Sequence, residues 1–469
     1  MLSKILTAAI LCVSMAGCSM MPKYSSPDIS LDKSWSKDGR YALYDEKGNA
    51  ADISWNEYFK SETLKQIIAK TLKSNYDIRL SVLNIEAARA AYRIQRSELL
   101  PTVNAGASAA RTSTPADISA TGQSVTASTF SANVGVTAYE LDFFGRVRSL
   151  NQKALENFFA TEESKISTQL ALIAEAANVY LTYLSDKEML RLSEENLESY
   201  TKTYEVVKRS FELGNATQLA VYQSESAYQG AKASIAQYKR AIVQDINALN
   251  LLAGGSVEEI LEGSTDTIET VQFMKQLPEG VPSTVLLKRP DIRMAEHRLK
   301  ASNADIGAAR AALYPSISLT GSFGFASTEL ENIFDDGARY AWNFSPSISI
   351  PIFNRGALKA SLETAEVQEK IAATEYEQAV QTAFREVADQ LAARSTYKQQ
   401  LDAQEAVLNS AQKSYDLSLN LYNAGANDYL SVLDAQRSLV SAQQGVVSVK
   451  QAYKANLVTL YKVLGGGQI

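Results

Sequence analysis

Residues 146–213 read RVRSLNQKALENFFATEESKISTQLALIAEAANVYLTYLSDKEMLRLSEENLESYTKTYEVVKRSFEL and contain neither glycine nor proline. An interior proline costs a helix about 3 kcal/mol and a glycine about 1 kcal/mol, so the run predicts one uninterrupted helix from Arg146 to Leu213. At about 1.5 Å per residue it is roughly 100 Å long, whereas ordinary globular helices stop near three turns. The same kind of run returns from Ala357 to Ala424. Two such rods in one chain make length itself a working property.

Outward from the rods the chain repeats itself. Each rod ends in a turn, at Gly214-Asn215 and again at Gly425, and each return helix ends at paired glycines, Gly254-Gly255 and Gly465-Gly466. Upstream, Asp77-Ile78-Arg79 recurs as Asp291-Ile292-Arg293, Leu100-Pro101 as Tyr314-Pro315, and Phe144-Gly145-Arg146 as Phe353-Asn354-Arg355. The order helix, hairpin, rod, return helix therefore occurs twice. The expected division is 1–17 leader, 18–60 N-terminal arm, 61–255 first repeat, 256–282 connection and 283–469 second repeat. In the first repeat the β-hairpin occupies 101–144 and the long helical hairpin 146–253; in the second they occupy 315–353 and 356–465.

The hairpins carry a period of two. Val103, Ala105, Ala107 and Ala109 alternate with Thr102, Asn104, Gly106 and Ser108, and a second alternating run goes from Phe130 to Phe144. The second hairpin is cleaner: Ile317, Leu319, Phe323 and Phe325 oppose Ser316, Ser318, Thr320 and Ser322, then Trp342, Phe344, Ile348 and Ile350 oppose Asn343, Ser345, Ser347 and Ser349. Strands of about ten residues with aromatic ends suit a membrane barrel, apolar toward lipid and polar toward a lumen. A soluble sheet packed on one face is the rival, but no other element is left to cover that face. Four strands cannot close a barrel, and an open edge in lipid leaves backbone groups unpaired at several kcal/mol each, so the barrel must be shared between chains.

Composition narrows the function classes. The chain has 469 residues and a formal net charge of -6, which argues against nucleic acid as a partner. It has no GxxxxGK[ST] loop, no strand-linked GxGxxG and no catalytic constellation; the single histidine, His297, cannot make a metal site and reads as a helix-surface or packing residue. Neither catalysis nor a cofactor or metal is expected. Met1–Val13 has one positive charge, Lys4, and then an apolar run too short to span a bilayer, proportioned like a secretory signal. It leads into Met15-Ala16-Gly17-Cys18, which resembles a bacterial lipobox with Met15 where leucine is usual. Cys18 would then carry the lipid, and Ser19 after it resembles lipoproteins sent to the outer membrane. Only Cys12 and Cys18 exist, so cleavage before Cys18 would leave one cysteine, already acylated, and no disulfide in the exported chain.

Taken together these residues resemble the TolC-like outer-membrane factor family, in the lipoprotein branch that includes the multidrug efflux outlets and NodT. The resemblance is carried by Cys18 with Pro22, Tyr24 and Pro27, by the stretch from Trp55 through Leu64 and Asn75 to Leu100-Pro101, by Phe144-Gly145-Arg146, and by Leu430 to Arg437. It implies an α+β homotrimer, in which each chain lends four strands to a twelve-stranded outer-membrane barrel and helices to a long periplasmic tunnel. It also implies a periplasmic adaptor and an inner-membrane pump, of the RND type, as partners.

The second rod ends at Ala424-Gly425-Ala426-Asn427-Asp428, where Asn427 or Asp428 can cap the return helix. Leu430, Asp434 and Arg437 follow at spacings of four and three and share one helix face, which as a bare pattern is an exposed ion pair worth about 0.3 kcal/mol. In the resembled family the matching L-x-x-x-D-A-Q-R residues close the periplasmic mouth, so Leu430, Asp434 and Arg437 are the expected gate, and Gly214, Asn215, Gly425 and Asn427 the expected adaptor-contact turns. The expected function is the passive exit duct of a tripartite efflux system. An outlet for metal ions or for a type I-secreted polypeptide is the alternative cargo reading, and a non-conducting coiled-coil scaffold or adhesin is the alternative of another class.

Overall fold

The structure, a computed structural model, describes residues 19–28, 50–274, 277, 286–334 and 339–466. Cys18 and the leader lie outside the described residues. The helices are α1 (Trp55–Tyr58), α2 (Glu62–Ser74), α3 (Tyr76–Ser97), α4 (Arg146–Glu212), α5 (Gln218–Leu252), α6 (Glu258–Glu262), α7 (Pro290–Ala311), α8 (Ala357–Asn423) and α9 (Tyr429–Val463). The strands are β1 (Val103–Thr114), β2 (Val125–Glu140), β3 (Ser316–Ser327) and β4 (Arg339–Ser349). The protein is α+β, mostly helical with one antiparallel sheet. Both rods are single helices, α4 and α8, of 67 residues each. Gly230 leaves α5 unbroken, because the cost of one glycine is spread over a helix of 35 residues.

The described residues form two compact units, each drawing on both sequence repeats. One contains 19–28, Ile85–Thr161 and Ala295–Tyr376 and holds the sheet, whose strand order β1-β2-β3-β4 joins the two hairpins through β2 and β3. The register aligns like with like. Ala105, Val134, Phe323 and Trp342 form one apolar row, and Ala107, Ala132, Phe325 and Tyr340 the next. Phe323 is 57% and Trp342 74% exposed within the single chain. The opposite face carries hydroxyls that bond across strands, Ser108 to Ser131 at 2.8 Å and Ser318 to Ser347 at 2.7 Å. A bulge after Val136 puts Ala138 at φ 53°, and its N–H donates to Thr320 Oγ1 at 3.1 Å.

In the same unit the extended segment 19–28 lies along one face of α7. Met20 N donates to Phe144 O, Asn303 Nδ2 donates to Pro22 O at 3.0 Å, and Tyr24 bonds Glu296 while Lys300 sits over its ring. Gly307 makes room for the crossing, since a Cβ there would lie 2.7 Å from Met21 Cα. His297 Nδ1 meets the buried Glu156 carboxylate at 2.6 Å, joining α7 to α4. The lone histidine is thus an interhelix packing residue with a specific partner.

The other unit contains 50–84, Glu162–Met294 and 377–466 as far as they are described. Its core corrects one expected boundary. Residues 50–60 belong by sequence to the expected arm 18–60, yet Ala50, Ala51, Tyr58 and Phe59 are fully or nearly buried. Tyr58 stacks on Tyr461 at 4.2 Å between ring centroids, and Phe59 pairs with Phe273 of the connection in an isolated β-bridge. The aromatic pair escaped a period-based reading because a four-residue helix, α1, is too short to show a period. The connection, acidic in sequence, is likewise tied in: Asp266 accepts from Ser61 Oγ and Tyr180 OH, and Val257, Leu261, Ile268 and Val271 are buried.

The repeat shows itself in a shared capping device. Asn75 and Arg289 each stand two residues before the repeated aspartate. Asn75 Nδ2 donates to Leu252 O, the last carbonyl of α5, at 2.9 Å, and Arg289 Nη1 donates to Val463 O, the last of α9, at 2.9 Å. Arg289 also bonds Asp291 and Glu386, at 2.7 and 2.8 Å. Removing one partner of a buried ion pair costs about 3–5 kcal/mol, but Asp291 and Glu386 are each more than a third exposed. Arg289→Ala is therefore expected to cost about 2 kcal/mol, and Asn75→Ala about 1 kcal/mol for its lost cap. Denaturant melts of both variants check the order; equal losses would sink it.

Candidate functional site

At the ends of the two helical hairpins, α4, α5, α8 and α9 meet in one apolar cluster within the second unit. Tyr200 and Val207 come from α4, Val221 and Ala231 from α5, and Tyr429, Val432 and Leu433 from α9, with Tyr415, Leu419 and Tyr422 of α8 packed against them. Both turns are built alike. Gly214 (φ +80°) and Gly425 (φ +73°) take the left-handed conformation that an L side chain resists. The next residue closes a six-residue bond, Asn215 N to Ser210 O at 2.8 Å and Ala426 N to Leu421 O at 2.9 Å. Neither glycine is crowded, so conformation alone requires it.

Thr217 caps α5 and Asp428 caps α9. The sequence allows either Asn427 or Asp428 as the cap; the structure selects Asp428, whose carboxylate accepts from Ser431 N at 3.0 Å and Ser431 Oγ at 2.6 Å. The Ser431 hydroxyl bond, then its backbone bond, holds Asp428 below the usual carboxylate range. Asn427 stands one residue outside, accepting from Asp428 N at 3.0 Å.

The first turns of α9 separate two faces. Tyr429, Val432, Leu433 and Gln436 point into the cluster and are buried. Leu430, Asp434 and Arg437 point away from it: Leu430 is 45% exposed, and the Asp434 and Arg437 side chains are 63% and 53% exposed. The structure thus brings the three predicted residues onto one exposed face. It joins Asp434 to Arg437 only at 3.7 Å, a long contact worth a few tenths of a kcal/mol in water.

What sequence reading missed is the inward face that holds this one in place. Gln436 Nε2 donates to Ser199 Oγ at 2.9 Å, and Ser199 meets the Tyr415 hydroxyl at 3.2 Å, tying α9 to α4 and α8. Tyr429 packs edge-on against Tyr422 at 6.0 Å. Burial, then the neighbouring Tyr200 phenol, pushes the Tyr429 phenol far up, so it stays neutral. The tyrosines at 415, 422 and 429 recur every seven residues across the turn, a signal that could have marked the cluster. Nothing in this arrangement suggests bond-making chemistry, and no group of three metal-ligating residues occurs among the described residues. It is a packed scaffold presenting one apolar and two charged groups.

Residues 67–255 and 281–466 match the outer membrane efflux protein family. The chain is 42% identical over 468 residues to the probable efflux pump outer membrane protein TtgC of Pseudomonas putida, covering 100% of this chain and 96% of that one. Among solved structures it is similar to a membrane protein from Pseudomonas aeruginosa (36% identity, TM-score 0.89, 96% of this chain and 100% of that one). It is also similar to the open state of the MtrE outer membrane channel of Neisseria gonorrhoeae (35% identity, TM-score 0.85, 96% and 98%). Coverage extends over both repeats and both units, so the chain belongs to the outer membrane efflux protein family.

Proposed function

We propose that three copies of this chain form the exit duct of a tripartite efflux assembly. The observation that carries this reading is the sheet. Its apolar face is continuous over four strands, its other face is lined by hydroxyls, and its edges β1 and β4 pair with no further strand among the described residues. In lipid each unpaired edge group costs several kcal/mol, so β4 of one copy pairs with β1 of the next until the barrel closes. Three copies supply twelve strands. The exposed apolar residues of α3, among them Leu80, Leu83 and Ile94, support the same reading as surfaces awaiting a neighbouring copy.

In the assembly Leu430, Asp434 and Arg437 form the periplasmic gate, and the turns at Gly214-Asn215 and Gly425-Asn427 receive a periplasmic adaptor that favours the splayed state. The duct is passive; an inner-membrane pump of the RND type supplies energy and selects cargo. A lipid on Cys18 anchors the arm to the outer membrane. Reconstitution of the purified chain into planar bilayers tests the duct: discrete conductance steps, with a trimer mass in detergent, are expected. A stable monomer without conductance would instead support the scaffold reading.

A further inference from the structure

The register of the α4/α5 hairpin brings two acidic side chains level with each other. Tyr204 stacks on Tyr228 at 5.7 Å, and Lys239 approaches Glu194 at 3.9 Å. Continuing away from the turn, the same antiparallel register brings Asp186 of α4 against Asp245 of α5, side chain to side chain. Asp245 Oδ2 is buried and has no conventional donor among the described residues. Two carboxyl groups in contact cannot both ionise cheaply; one proton between them turns repulsion into a hydrogen bond.

Among the described residues no lysine or arginine bears on the pair. Lys187, next to Asp186, lies over the Tyr183 ring at 5.6 Å, and Lys239 is directed to Glu194. From α9, Gln451 contacts Thr182 one turn away, while Lys450 is engaged by Glu269 and Glu405. Tyr238 is a further titratable group bearing on the pair; its phenol is raised by burial and then by Asp186, so it stays neutral. Burial raises Asp186, and the bond from Asp245 draws it partly back. Burial, the Asp186 charge and the bond to it together push Asp245 up to about 7.

We propose that Asp186 and Asp245 are a proton-sharing latch between α4 and α5, which holds the two helices together while the proton is bound and repels them locally once it is lost. The sign follows from linkage. The closed hairpin binds one proton more than the opened one between the ordinary aspartate range, near 4, and about 7. Its contribution is greatest at low pH, weakens across that window by less than the limiting value of about tenfold per pH unit because solvent screens the half-exposed pair, and is gone above it.

Amide hydrogen exchange on the full-length protein in detergent reads this latch, with rates corrected for the pH dependence of chemical exchange. Between pH 5 and pH 7 the opening constant of segments 183–189 and 242–248 is expected to rise about tenfold more in wild type than in Asp245→Asn, whose amide mimics the protonated acid; solvent screening of the half-exposed pair keeps the effect below the full linkage limit. Asp186→Asn should flatten the profile in the same way. The infrared band of a protonated carboxyl should be present in wild type at pH 6 and missing from both variants. Parallel exchange profiles in wild type and variants, or a band that survives both substitutions, would overturn the latch.

Discussion

Gly324→Val is expected to abolish the folded barrel, while Gly106→Val on the same row of the sheet leaves it intact. The row runs Gly106, Asn133, Gly324, Ala341 across the four strands. A Cβ on Gly106 would find only Asn133 Oδ1, at 3.8 Å, which is ordinary contact. A Cβ on Gly324 would lie 2.5 Å from Asn133 Cα and closer still to the Ala132 carbonyl oxygen, so β2 and β3 must separate. Gly135 meets the same limit from the other strand, 2.8 Å from Ser322 Cα. This is the seam where the two repeats join, and each ladder bond broken in lipid leaves groups worth several kcal/mol unsatisfied. Heat-modifiable migration on SDS gels reads barrel formation directly: wild type and Gly106→Val should show it and Gly324→Val should not. A heat-modifiable Gly324→Val would remove the close approach as a requirement.

Local rules made the elements legible. Absence of glycine and proline predicted α4 and α8 to within a residue of their ends, and strict alternation in the second hairpin predicted which residues of β3 and β4 share a face. Repeated tripeptides revealed the duplication. Hidden from sequence were features that depend on which helix lies against which. Asn75 and Arg289 look unrelated as residue types, yet both bond the last carbonyl of a return helix. Asp186 and Asp245 are unremarked aspartates until the hairpin register pairs them. The exposed face of α9 was legible because its spacing is local, whereas the tyrosines and Gln436 behind it depend on four helices converging.

The Leu430→Ala, Asp434→Ala double variant is expected to raise single-channel conductance severalfold over wild type in planar bilayers, without loss of stability. Stability should hold because α9 is fixed from its other face by Tyr429, Val432, Leu433 and Gln436, and by its Asp428 cap. Within one chain the two substituted side chains do little: Leu430 is half exposed, and Asp434 reaches Arg437 only at 3.7 Å. An interaction that weak cannot by itself hold a pore shut. In the proposed gate, closure therefore rests on contacts between copies: an apolar ring of Leu430 that would exclude water, and closer partners for Asp434 and Arg437 across the threefold axis. Such contacts are lost three times over in the trimer for each substitution. Lys202→Ala supplies the control, since it deletes an exposed ion pair of the same region, with Glu198 at 2.7 Å, and should leave conductance unchanged. If the double variant conducts like wild type and Lys202→Ala, the three residues are surface groups and the constriction lies elsewhere in the duct.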